Sequence, residues 1–193
     1  MSQCIGQTIL VCGISGVGKT RLLDDVVKLL PSVVVWRASE IIGAARNILD
    51  PEALRTLPAG EILQSQVLLV QGFEVQRREF PDSLVLLDAH SVIDSDNGLI
   101  EIPIEVAAHF MPTGILHVSD EPARILERRL ADTKRVRPAR SLGQLTEYQR
   151  RSIAVCEGYS VALDVPLIEI RSGDIGGFTK AIRSVVARSP RTG

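Results

Sequence analysis

The chain has 193 residues, a formal net charge of −1 and 45% hydrophobic residues. So much apolar material at so little net charge excludes disorder as the dominant state and argues against a generally basic nucleic-acid binder. Only Lys19, Lys28, Lys134 and Lys180 among its 22 basic residues are lysine; the rest are arginine, the residue suited to bidentate phosphate contacts.

The length predicts one domain over 1–193. Ile9–Cys12 is a short apolar run that predicts a first buried strand, and an amphipathic helix is expected over Lys19–Leu30. Val33–Trp36 predicts a second strand. The connection from there to Pro81 is too long for a simple crossover and carries helical patterns at Ser39–Asn47 and Glu61–Phe80. Leu84–Leu87 predicts a third strand, and Asn97-Gly98 a tight turn after it. Helix, strand and helix follow at Ile102–Phe110, Gly114–Val118 and Glu121–Ala131. The polar stretch Asp132–Gln144, broken by Pro138 and Gly143, leads to a helix at Leu145–Leu163, a strand at Pro166–Ile170 and a helix at Ile175–Ala187. Brief, nearly all-apolar strands alternating with helices predict βαβ units: an α/β protein whose parallel sheet is covered on both faces.

Gly13-Ile14-Ser15-Gly16-Val17-Gly18-Lys19-Thr20 matches G-x-x-x-x-G-K-[ST]. Glycines let the backbone wrap closely, so that successive N–H groups point at phosphate oxygens, and the helix that starts here favours anions at its N-terminus. Gly13, Ser15, Gly16, Val17, Gly18, Lys19 and Thr20 are therefore candidate ATP-binding residues, with Lys19 reaching the β- and γ-phosphates. The third strand ends in Asp88, a candidate Mg2+ ligand together with the Thr20 hydroxyl. His90 follows at the carboxyl edge of the sheet, where ligands bind, and is a candidate for substrate contact.

Eight arginines crowd the stretch from Arg124 to Arg151. Phosphoryl transfer spreads negative charge over the moving group, so Arg135 and Arg137, on the loop where Pro138 stops helix continuation, are candidate catalytic residues. Arg129 is a candidate for the triphosphate or its base. Arg150 and Arg151 read as a solvated face.

Together these segments resemble an archaeal-type adenylate kinase, within the nucleoside monophosphate kinase group of P-loop proteins. Leu87-Asp88-Ala89-His90-Ser91 is similar to that family's Asp-Thr-His-Ser segment, and Arg128-Arg129-Leu130 with Arg135-Val136-Arg137 to its lid. The resemblance implies a P-loop NTPase three-layer fold with a five-stranded parallel sheet in order 2-3-1-4-5. It implies an NMP-binding insertion at about 37–80 and a short lid at about 132–144. It implies Mg2+-dependent transfer from ATP to AMP, with Arg55 gripping the acceptor phosphate and Ser39 and Gln66 near the acceptor nucleotide. A homotrimer is the oligomer it implies. Three departures stand out: Pro138 replaces the lid's Asp, Arg37-Ala38 replaces an acceptor-side Phe-Gly, and no basic residue lies near Gln64.

Two other readings stay open. One is an ATP-driven switch or assembly factor whose arginines bind a protein or RNA partner. The other is a small-metabolite kinase on the same scaffold, with Trp36 and Arg37 lining a different acceptor pocket. Cys4, Cys12 and Cys156 form no Cys-x-x-Cys pair, and no apolar run approaches a membrane span. A cytoplasmic chain without a membrane or nucleic-acid partner is expected.

Overall fold

Ile9 and Val11 turn to one side of the first strand and Leu10 and Cys12 to the other, and all four are buried. Only a sheet covered on both faces buries both sides of a strand in this way. A computed structural model describes residues 6–47, 56–96, 98–133, 135 and 137–188. In chain order its elements are β1 (Thr8–Cys12), α1 (Lys19–Leu29), β2 (Val33–Arg37), α2 (Ala38–Arg46) and α3 (Ala59–Glu79). Next come β3 (Leu84–Asp88), β4 (Val92–Ser95), β5 (Gly98–Glu101), α4 (Ile104–His109) and β6 (Gly114–Ser119). The last are α5 (Pro122–Ala131), α6 (Leu142–Leu163), β7 (Leu167–Arg171) and α7 (Ile175–Arg188).

Five strands form an all-parallel sheet in the order β2-β3-β1-β6-β7. On one face Ile9, Val11, Leu86 and Val118 pack against Leu23 and Val26 of α1, Ile125 of α5, and Phe178 and Ile182 of α7. On the other, Leu10, Cys12, Val85 and Leu87 meet Ile41 of α2, Leu69 and Phe73 of α3, Phe110 at the end of α4, and Tyr159 of α6. Phe73 is fixed by edge-on contacts with Trp36 and Phe110, centroids 5.3 and 4.9 Å apart. Trp36 thus docks the long helix α3 onto the sheet.

Two features depart from the sequence reading. Val92–Ser95 and Gly98–Glu101 form a separate antiparallel hairpin where only a tight turn was expected. These strands are four residues long and polar at Asp94 and Ser95, so they carry no apolar run. Helix α6 begins at Leu142, three residues before the expected start. There the Ser141 hydroxyl accepts from the Gln144 N–H and the Gln144 side chain accepts from the Ser141 N–H.

Strand β1 lies between β3 and β6, where the strand order reverses direction along the sheet. Ligands of open α/β sheets bind in the crevice at the carboxyl ends of such strands. Val11 is in register with Asp88, and Asp88 with Arg37, which brings three strand ends to that edge. Among the described residues no helix is long and apolar enough to cross a membrane.

Candidate active site

The loop after β1 takes a conformation that two of its glycines require. Gly13 has φ 144° and Gly18 φ 104°. A Cβ on Gly13 would stand 2.6 Å from the Val118 carbonyl oxygen, and one on Gly18 2.5 Å from Ser172 Oγ. Gly18 also begins α1 with no side-chain cap, which leaves the first N–H groups of the helix open to an anion.

Lys19 is buried, at 6% exposure, and its Nζ donates to the Gly13 carbonyl at 2.7 Å. It stands 3.8 Å from Asp88 Oδ1. Burial pulls the Lys19 pKa down and pushes that of Asp88 up, while each charge partly holds the other in place. His90 Nδ1 lies 2.9 Å from the same Gly13 oxygen. A carbonyl only accepts, so Nδ1 carries the proton and Nε2 keeps its lone pair. Burial and the Lys19 charge depress the His90 pKa to about 3, so the ring is neutral at pH 7.

Arginines of α5 and the following loop grip the phosphate loop from outside. Arg128 donates from Nε to the Gly16 carbonyl at 3.0 Å and from Nη2 to that of Val17 at 3.2 Å, and pairs with Asp120 at 2.6 Å. Arg129 donates from Nε to the Ser15 carbonyl at 3.0 Å, pairs with Asp94 at 3.0 Å, and lies over the Tyr148 ring. Arg137 reaches Ser15 Oγ at 3.1 Å and pairs with Asp132 at 2.6 Å. Ser15 is therefore held by two guanidinium groups, one on its carbonyl and one on its hydroxyl. Arg129 Nη2 and Arg137 Nη1 are buried and make no hydrogen bond among the described residues. Buried donors of this kind call for an acceptor, and they lie beside the phosphate loop.

A cleft of about 370 Å3 opens along the loop between the sheet edge and helices α2 and α3. It brings Ser15, Thr20, Ser39, Gln66, His90 and Arg135 together over an apolar floor that includes Leu10, Leu69 and Phe110. Gln66 is buried with its Nε2 bonded to the Ile62 carbonyl, which leaves Oε1 as its free acceptor. Arg37 lines the cleft but is drawn to Asp24 at 2.8 Å and Glu40 at 3.3 Å. Trp36 is not among the lining residues, since its ring packs on Phe73. Arg55 lies outside the described residues.

Reading the sequence alone missed Asp94, Asp120 and Tyr148. Their importance comes from contacts with Arg128 and Arg129, eight to 35 positions away. The adjacent pair Arg128-Arg129 was the one available signal.

A family model described as an AAA domain matches residues 12–146. The adenylate kinase of Pyrococcus abyssi is 26% identical over 184 residues, 92% of each chain. That of Methanoculleus marisnigri is 25% identical over 81% of this chain and 85% of its own, and that of Sulfurisphaera tokodaii 28% over 66% and 71%. The tunicamycin resistance protein of Deinococcus radiodurans shares the fold, with a TM-score of 0.58 over 95% of both chains at 15% identity. The chain belongs to the AAA-domain family of phosphate-loop proteins and, within it, to the phosphate-loop nucleotide kinases.

Proposed function

We propose that the protein is an ATP-dependent nucleoside monophosphate kinase, with AMP the favoured acceptor and two ADP the product. One observation carries this reading. A single cleft joins the phosphate-loop residues Ser15 and Thr20 to Ser39, Gln66 and His90, with Arg135 on the same lining. Donor and acceptor then share one cleft, as direct transfer requires. The identities near 26% to archaeal adenylate kinases support AMP as the acceptor.

In this reading an acceptor phosphate oxygen attacks Pγ in line, a new P–O bond forms, and the bond from Pγ to the β-bridging oxygen breaks. The protein forms no covalent bond; it positions the groups and stabilises charge. Lys19 exchanges the Gly13 carbonyl for phosphate oxygens. Arg129 and Arg137 offer their unpaired nitrogens to the same charge. Arg135 reaches the transferring group from the loop, and Arg55 holds the acceptor phosphate. Asp88 and Thr20 would hold Mg2+ through a carboxylate and a hydroxyl, hard oxygen donors suited to that ion, which would supply positive charge against the negative charge of the phosphates. The insertion at 37–80 and the loop at 132–144 serve as acceptor wall and lid of one catalytic domain.

A different acceptor on the same machinery is favoured by Glu40, which brings a carboxylate and the paired Arg37 into the acceptor half of the cleft. Steady-state kinetics with both substrates tests the assignment. Gln66→Ala raises KM for AMP about tenfold, the cost of one hydrogen bond to substrate, and leaves KM for ATP unchanged. An equal rise in both constants refutes the acceptor assignment.

A further inference from the structure

Asp94 is carried on the hairpin that the sequence did not reveal. It is in register with Leu99 across that hairpin, and its side chain is 2% exposed. Both carboxylate oxygens are occupied. Arg129 Nη1 donates to Oδ2 at 3.0 Å, while Arg140 donates to Oδ1 from Nε at 3.0 Å and from Nη2 at 2.8 Å. Arg140 Nη2 also bonds the Ser95 carbonyl. Arg129 is thereby held at two of its three nitrogens, Nε by Ser15 and Nη1 by Asp94. The third, Nη2, is buried without a hydrogen bond among the described residues.

A buried ion pair is a poor source of net stability, because desolvation offsets attraction; what it provides is fixed geometry. A planar guanidinium pinned at two nitrogens has its third aimed. We propose that Asp94 is a positioning residue for phosphoryl transfer: it locks Arg129 against the phosphate loop, so that Nη2 meets a phosphate oxygen of the bound nucleotide. Through Arg140 the same carboxylate ties this arginine to the segment that leads into α6. The inference rests on reading the cleft as a phosphoryl-transfer site, whose lining includes Asp94, and it adds a residue that acts through Arg129.

The test is a double-mutant cycle read on Mg2+–ATP affinity by calorimetry, a measurement that needs no acceptor. Arg129→Met loses a charge-assisted hydrogen bond and weakens Mg2+–ATP binding about tenfold or more. Asp94→Asn keeps the shape, loosens Arg129 and weakens binding in the same direction. The double variant binds no more weakly than the worse single, because Asp94 acts only through Arg129. Losses that multiply overturn the proposal, as does folded Asp94→Asn that binds like wild type, since a merely structural Asp94 would change stability alone. Where Asp94→Asn does not fold, Arg129→Met is compared with the double variant, in which both charges leave together; equal affinity supports the proposal and a further loss overturns it. Wild-type protein that binds Mg2+–ATP but phosphorylates no acceptor refutes the kinase reading and leaves this cycle valid. Wild type that binds no Mg2+–ATP overturns both.

Discussion

Replacing Lys19 with Ala separates the role of this residue in catalysis from its role in the fold. The ammonium group is buried, donates to the Gly13 carbonyl at 2.7 Å and sits 3.8 Å from Asp88. Its removal leaves no orphaned carbonyl, because His90 Nδ1 already donates to Gly13 at 2.9 Å. Asp88 loses its nearest cation, so its already raised pKa rises further and the carboxyl protonates more readily. Against that, a desolvated ammonium no longer has to be kept charged. The two effects oppose each other, but removing one partner of a buried ion pair costs about 3–5 kcal/mol, so the variant is expected to fold with a lowered Tm. Catalysis has no such compensation. A fixed cation facing developing phosphate charge is worth about 3–4 kcal/mol, so kcat falls about 100- to 1,000-fold. The assay follows ADP formation from Mg2+–ATP and AMP, alongside a thermal melt. Folded Lys19→Ala protein within tenfold of wild-type kcat would refute the reasoning.

Three further predictions concern the scaffold. Gly18→Ala places a methyl group 2.5 Å from Ser172 Oγ at φ 104°, and should cost about 1–3 kcal/mol in denaturant titration and weaken ATP binding. His117 is fully buried, and burial with the Lys19 charge lowers its pKa from 6.5 to about 4. The unfolded chain therefore binds the extra proton between those values: stability is full above about pH 6.5 and falls toward pH 4 by about 3 kcal/mol. His117→Asn should flatten that part of a Tm-against-pH curve, and an unchanged slope would contradict the assignment. Arg77 bonds Ser83 and Gln7 carbonyls and Thr8 Oγ1, and its guanidinium lies 5.1 Å from the Trp36 ring centroid. Arg77→Ala should destabilise by about 2 kcal/mol and shift the emission of Trp36, the sole tryptophan.

The sheet was legible because its strands are brief and apolar. Leu84–Leu87 is buried at every position, so no polar residue interrupts the pattern. The phosphate loop was legible because each residue in it answers a local demand of backbone or charge. The hairpin at 92–101 was not, because its strands are four residues long, pair only with each other and bury the polar Asp94 and Ser95 in place of an apolar run. Asp94 was hidden for a related reason. Within its own segment it reads as a turn carboxylate, and only folding brings Arg129 and Arg140 to its two oxygens. The tasks of Arg128 and Arg129 were equally invisible: adjacent in sequence, they grip different carbonyls of the loop and answer to different acids.

The central claim is tested most directly by incubating the protein with Mg2+–ATP and each common nucleoside monophosphate, each nucleoside and no acceptor, then separating the nucleotides. The account predicts ADP formation that requires AMP and vanishes in Lys19→Ala. Phosphate release at one slow rate whatever the acceptor would contradict it.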